Sequence, residues 1–300
     1  MSFMKILLLA ANQGPDYLQD LVIHGLAQAK GLELYFNLFP PHLATDYPPS
    51  APLYGCGFTA FRRLGPNYAY WAKKQVNHST RNTKWDLVIY LNAQRYYDDE
   101  EAMYLRSRGS IIFALDGEDN TDIVLPALNR CELYFKRELI HNHLGIRPIS
   151  FKIPADTLIS PIDLNSKTCL LAPCDPRHRA SYIFTTEDIY YSQYSRSYFG
   201  VTMKKGGWDC MRHYEILAAG ALPHFLSFEN KPKTIMQDYP HSLQLATNEL
   251  SARILLSAKP LSYWQEEYKK ISHSFREWLE SSGTTIEYSR LFIRAFMEVS

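Results

Sequence analysis

The sequence contains no Cys-x-x-Cys pair. Its five cysteines, Cys56, Cys131, Cys169, Cys174 and Cys210, are scattered and odd in number. That argues against a disulfide framework and against a zinc site, and for reduced thiols in a cytoplasmic protein. Charge of one sign is also lacking. Lys and Arg number 32 against 31 Asp and Glu, a net +1, so no global field favours nucleic acid or a membrane surface. No apolar run is long enough to span a bilayer. The run at residues 6–11 is too short for a secretory core and breaks at Asn12-Gln-Gly-Pro15, so it reads as a buried strand. A Gly-x-x-x-x-Gly-Lys-Ser/Thr loop is missing, which argues against a P-loop kinase. The missing Gly-x-Gly-x-x-Gly and Gly-x-Ser-x-Gly argue against a dinucleotide dehydrogenase and an α/β hydrolase. Neither repeats nor low-complexity tracts interrupt the chain.

What is present fits a globular protein with a real core. The 300 residues are 46% hydrophobic, with room for two domains. The 21 tyrosines suit sugar stacking, although many such rings belong to cores. Residues 5–10 form an expected strand. A helix follows at 16–30, with Leu18, Leu21, Val22, Leu26 and Ala29 at helical spacing. Gly31 stops it, and 32–38 is a second strand. This βαβ start predicts a parallel α/β sheet. Strands at 85–91, 110–115 and 132–135 continue it, with helices at 98–108 and 125–131. Residues 149–153 close a first domain of 1–160, and 154–165 read as the linker. The proline-rich stretch 40–67 is either an acceptor-side flap or a poorly ordered insertion. A second domain, 166–300, opens with a strand at 168–172 and a helix start near Pro176. It ends with helices at 233–238, 248–256, 261–281 and 285–300. The aromatic stretch 181–198 has no assignment.

The chain is organised around residues 198–225. Lys204 and Lys205 precede the pair Gly206-Gly207. Asp209 suits an N-cap, 210–219 a helix, Gly220 a left-handed stop, and 221–226 a strand. A helix start offers unpaired N–H groups to an anion, glycines let a ligand approach the backbone, and lysines add charge. Arg212 and Glu215 share one helix face. Arg212 can neutralise phosphate, and Glu215 can accept from a ribose diol. The plainer alternative is an ordinary loop–helix–strand unit with a surface ion pair.

The segment Arg212-His-Tyr-Glu-Ile-Leu-Ala-Ala-Gly-Ala-Leu-Pro223 resembles the donor-site motif of GT-B glycosyltransferases, nearest to the CgeB-type and exostosin-like group with its Arg-x-x-Glu-x-x-x-x-Gly-x-x-Pro pattern. The resemblance is clear over roughly 40 residues and architectural elsewhere. It implies two Rossmann-like domains facing across a cleft, with C-terminal helices and a last helix crossing back to the first domain. It also implies nucleotide-sugar binding by Lys204, Lys205, Gly206, Gly207, Arg212 and Glu215, and sugar transfer without a metal or further cofactor.

Three acids are candidates for catalysis. Asp116 and Asp119 flank Gly-Glu at the carboxyl end of an expected strand, where open α/β sheets bind ligands. Crowded carboxylates there can poise one as the base an inverting transferase needs. The alternative is a solvated turn in which Asp119 or Asn120 caps the next helix. Asp16 follows strand one, where a base or acceptor group can lie, and is equally a natural acid at a helix start. Lys136-Arg137-Glu138 can help bind phosphate across the cleft or be the charged first turn of a helix, and the cluster Arg177, His178, Arg179 can neutralise the leaving diphosphate or be solvated. His213 lies off the face of Glu215 and reads as packing. The expected function is transfer of a sugar from a nucleotide donor to a glycan, lipid or protein acceptor. The alternatives are a non-catalytic nucleotide-sugar-binding protein and a GT-B-fold sugar-nucleotide epimerase.

Overall fold

The computed structural model describes residues 3–49, 60–76, 83–159 and 163–300. Six strands form one parallel sheet: β1 (Met4–Leu9), β2 (Leu32–Phe36), β3 (Leu87–Tyr90), β4 (Ile111–Asp116), β5 (Leu133–Lys136) and β6 (Ile146–Pro148). Their order is β2-β1-β3-β4-β5-β6. The order reverses between β1 and β3, and the crevice outside their carboxyl ends is the natural ligand position of such a sheet. Both faces are covered. Ile6 and Leu8 belong to one buried cluster, Leu7 and Leu9 to another, which is why the strand reads as a continuous apolar run. The connecting helices are α1 (Tyr17–Ala27), the short α2 (Tyr68–Ala72), α3 (Asp99–Ser107) and α4 (Leu125–Arg130).

Three strands, β7 (Cys169–Leu171), β8 (Ser197–Thr202) and β9 (Leu222–Phe225), form a second parallel sheet in sequence order. It carries α5 (Glu187–Ser195), α6 (Met211–Ala218), α7 (His241–Leu256) and α8 (Gln265–Trp278). Gly220 closes α6 at φ +78°, a conformation that favours glycine. A π-helical turn at Leu279–Gly283 leads into α9 (Ile286–Val299). α9 crosses back to the first sheet, where Phe292 meets Phe135 edge-on at 5.4 Å. The carbonyl of Thr285 lies so close to α1 that a Cβ on Gly25 would stand 1.9 Å from it. One apolar cluster runs from Ile6 through Tyr214 to Phe292 and joins the halves. This is the expected α/β architecture of two Rossmann-like units with C-terminal helices. Among the described residues no helix is long and apolar enough to cross a membrane.

Several local expectations change. Residues 181–198 contain α5, capped by Thr186, and the first two residues of β8. The last strand of the first sheet is β6, and 149–153 is an irregular segment bonded to the carbonyl of Gly283 through Ile153. Near Pro176 there is a turn, followed by a single 3-10 turn at Arg179–Ser181. Residues 233–238 form turns, and α7 starts at His241 behind Pro240, about two turns before the expected 248. The loop 40–67 is described only in part. Its described flanks pair through Ala44 and Leu64, and Arg63 reaches Asp156 of the linker and Glu187 of the second half. The remainder, with Cys56, lies outside the described residues.

Candidate functional site

A cavity of about 700 Å³ opens between the halves. Tyr17, Asp119 and Phe151 line it from the first half, and the second half contributes Lys205, Arg212 and Glu215 among others. α6 explains the placement of the last two. Arg212 and Glu215 lie one turn apart on the helix and share the wall facing the cavity. Glu215 is 3% exposed and accepts from the Tyr190 hydroxyl at 2.9 Å. The Arg212 guanidinium lies over the Tyr182 ring, 5.3 Å from its centroid, and Nη2 donates to the Tyr182 hydroxyl. Its Nε and Nη1 are buried without a hydrogen-bond partner. A buried guanidinium with two unused donors beside a cleft is rare, because each lost bond is costly.

The basic loop divides. Lys205 and Gly206 line the cavity, and Lys205 also donates to the carbonyl of Pro176. Lys204 instead sits over the Trp208 ring, 5.4 Å from its centroid, and is absent from the cavity wall. Gly207 faces the first half: a Cβ there would lie 2.4 Å from Glu138 Oε1. On Gly206 it would lie 2.0 Å from Asp119 Oδ2. In the loop just before α6, the backbone N–H groups of Trp208 and Asp209 donate to Glu138 at 3.0 Å each. Asp209 is not the N-cap; Cys210 holds that position, without a side-chain bond. The Asp209 carboxylate accepts from Phe151 N–H at 2.7 Å and from the Tyr214 hydroxyl at 2.9 Å. Burial pushes it up to about 7 despite the nearby Arg137.

The three acids separate as well. Asp116 is wholly buried. It pairs with Lys136 at 2.8 Å and accepts from Tyr134 and Gln94 at 2.6 and 2.9 Å. The parallel register sets Asp116 directly beside Lys136. With its cation fixed and no route to solvent, Asp116 is a structural partner and leaves the set of candidate bases. Asp119 lies at the cavity mouth with its side chain 60% exposed, paired with Arg137. It does not cap α4, whose N-cap position is Val124. Asp16 is the N-cap of α1, accepting from Gln19 N–H at 3.1 Å. Its second oxygen accepts from Asn92 at 3.1 Å and pairs with Arg95 at 3.4 Å.

Asn92 bridges Asp16 to Glu118 at 2.8 Å, and Arg95 also pairs with Glu118. Burial alone would raise the Glu118 carboxyl, but these two donors hold it below its usual range. This polar group closes the β1/β3 crevice, and the buried Asn92 Oδ1 has no partner. Asn92 directly after a buried strand was the available signal for it. Tyr182 and Tyr190 had none, since their stretch carried no recognisable period. Arg177 and Arg179 line the cavity, and Arg177 is held by Asp175 at 2.6 Å. His213 packs as expected: it stacks on Phe225 at 4.3 Å, and burial lowers it to about 3. Among the described residues no group of three His, Cys, Asp or Glu is arranged to hold a metal ion.

The chain matches no protein-family model and no curated protein. Among solved structures it is similar to CalG4, the calicheamicin glycosyltransferase, at 10% identity over the whole of both chains, with a TM-score of 0.43. It is also similar to a UDP-N-acetylglucosamine 2-epimerase at 12% identity, over 97% of this chain and 94% of that one, with a TM-score of 0.44. At these values neither neighbour assigns an activity to this chain.

Proposed function

We propose that the chain is a GT-B-type glycosyltransferase of the CgeB-like or exostosin-like group, binding a nucleotide sugar in the cleft. The observation that carries this is Arg212: two buried, unused N–H donors on the helix face that also presents Glu215 to the cavity. In this reading a rotation of Tyr182 opens the guanidinium to the donor's diphosphate, and Lys205 and Arg179 meet it from the rim. Glu215, held by Tyr190, accepts from the ribose hydroxyls. The leaving diphosphate is stabilised by these cations without a metal. The acceptor, a glycan, lipid or protein, approaches from the β1/β3 crevice, where Asp16, Asn92 and Glu118 lie. Asp119 at the mouth is the first candidate for the base and Asp16 the second.

One observation favours binding without transfer: both acids already have carboxylate oxygens engaged by cationic partners, Arg137 and Arg95. Calorimetric titration with UDP, GDP, ADP and CMP, with and without magnesium, tests the site on wild type, Arg212→Lys and Glu215→Gln. The expected result is one preferred nucleotide, bound independently of magnesium and at least about tenfold more weakly in both variants, the loss of roughly one hydrogen bond to a charged group. Unchanged affinity in both variants would remove the cleft as the site. Release of the nucleotide from its sugar donor only in the presence of an acceptor then separates transfer from binding.

A further inference from the structure

The loop 204–210 is held from outside its own half. Glu138, 3% exposed, points both carboxylate oxygens at the backbone: Oε2 accepts from Trp208 N–H and Oε1 from Asp209 N–H. Charge-assisted bonds of this kind are among the stronger ones. Arg137, equally buried, completes the grip. It donates to the carbonyls of Gly117 and Asp209 and to the carboxylates of Glu138 and Asp119, and lies over the Phe151 ring at 4.7 Å. The Gly206-Gly207 pair serves this approach, because side chains there would collide with Asp119 and Glu138. Glu138 is thus an internal anion in the cradle that the sequence offers to a ligand.

The cradle ends where α6 begins, and α6 carries Arg212 and Glu215. From this geometry we infer that Arg137 and Glu138 are positioning residues: from the first half they fix the start of α6 and thereby the ligand-binding side chains of the second. Neither residue lines the cavity. This inference rests on the reading of the cleft as a nucleotide site, and it makes ligand affinity in one half depend on a carboxylate in the other.

The test compares wild type, Glu138→Gln and Glu138→Ala by hydrogen exchange across 204–215 and by titration with the nucleotide that wild type prefers. Glu138→Ala is expected to speed exchange in this segment selectively and to weaken binding at least tenfold. Glu138→Gln, which keeps one acceptor oxygen, is expected to recover part of both. A purely structural role would lower the melting temperature of both variants with protection and affinity unchanged, and that result overturns the inference. If wild type binds none of the nucleotides, the functional reading fails by itself. Exchange in Glu138→Ala still decides the grip: unaltered protection of 204–210 refutes it. Should Glu138→Ala not fold, Gly207→Ala displaces the same carboxylate without removing its charge and is read the same way.

Discussion

Two carboxylates, Asp119 and Glu138, and the backbone carbonyl of Asp209 meet the single guanidinium of Arg137 at the seam between the halves, with the Asp209 carboxylate buried close by. Burial raises Asp209 from 3.8 to about 7. The native state therefore binds this proton more tightly than the unfolded chain does. The resulting stability is fully present below the unfolded value and is lost as pH rises through about 7. At about 1.4 kcal/mol per pH unit the whole window amounts to about 4 kcal/mol, of which roughly 2–3 kcal/mol falls between pH 5 and pH 8. Asp209→Asn keeps one acceptor oxygen for Phe151 N–H and places its NH2 group, a donor, against the Tyr214 hydroxyl oxygen, and it cannot titrate. Other groups slope the opposite way: burial lowers His24 to about 4 and His213 to about 3, so each favours the native state as pH rises towards 6.5. The informative quantity is therefore the difference between wild type and variant, in which those contributions cancel. Urea unfolding at pH 5, 6, 7 and 8 measures it. The stability of wild type relative to Asp209→Asn should fall by roughly 2–3 kcal/mol from pH 5 to pH 8. A difference that does not change with pH would refute the assignment of a retained proton to Asp209.

Two further outcomes follow from packing. Asp116→Asn leaves Lys136 charged and buried, so it should cost about 3–5 kcal/mol in urea unfolding. The double change Asp116→Leu with Lys136→Met should recover much of that, and a single variant as stable as wild type would contradict the burial of the pair. Gly25→Ala drives a methyl into the Thr285 carbonyl, where backbone cannot move aside cheaply. Its expected cost is about 1–3 kcal/mol, seen as a lower melting temperature, with the first loss of protection in α9.

The parallel sheets were legible because burial on both faces writes itself as near-continuous apolar runs, as at 6–10 and 87–91. α5 was not, since Tyr190, Tyr191 and Tyr194 are as much at home in strands as in helices. The polar first turns of α7 hid its start behind Pro240. The site was legible in residue type but not in role. Arg212 and Glu215 needed only helical spacing to be placed on one wall. Asp116 needed its neighbour, and the neighbour was 20 residues away on the adjacent strand. Asp209 had the local spacing of a helix cap, yet its partners are Phe151 and Tyr214, and the first of these lies 58 residues earlier. An acid after a strand becomes a base, a cap, an ion-pair partner or an interdomain clamp according to which cation or amide meets it. Asp116 with Lys136, Asp119 with Arg137 and Asp209 with Phe151 are long-range meetings, whereas Asp16, expected as an acid of the helix start, caps α1 locally. The same logic assigns the glycine pair: the sequence offered its open backbone to a ligand, and the fold gives it to Asp119 and Glu138. In the proposed reading a nucleotide is then held chiefly by side chains of α6 and the cavity rim, which is why the test of that reading is placed on Arg212 and not on the loop amides.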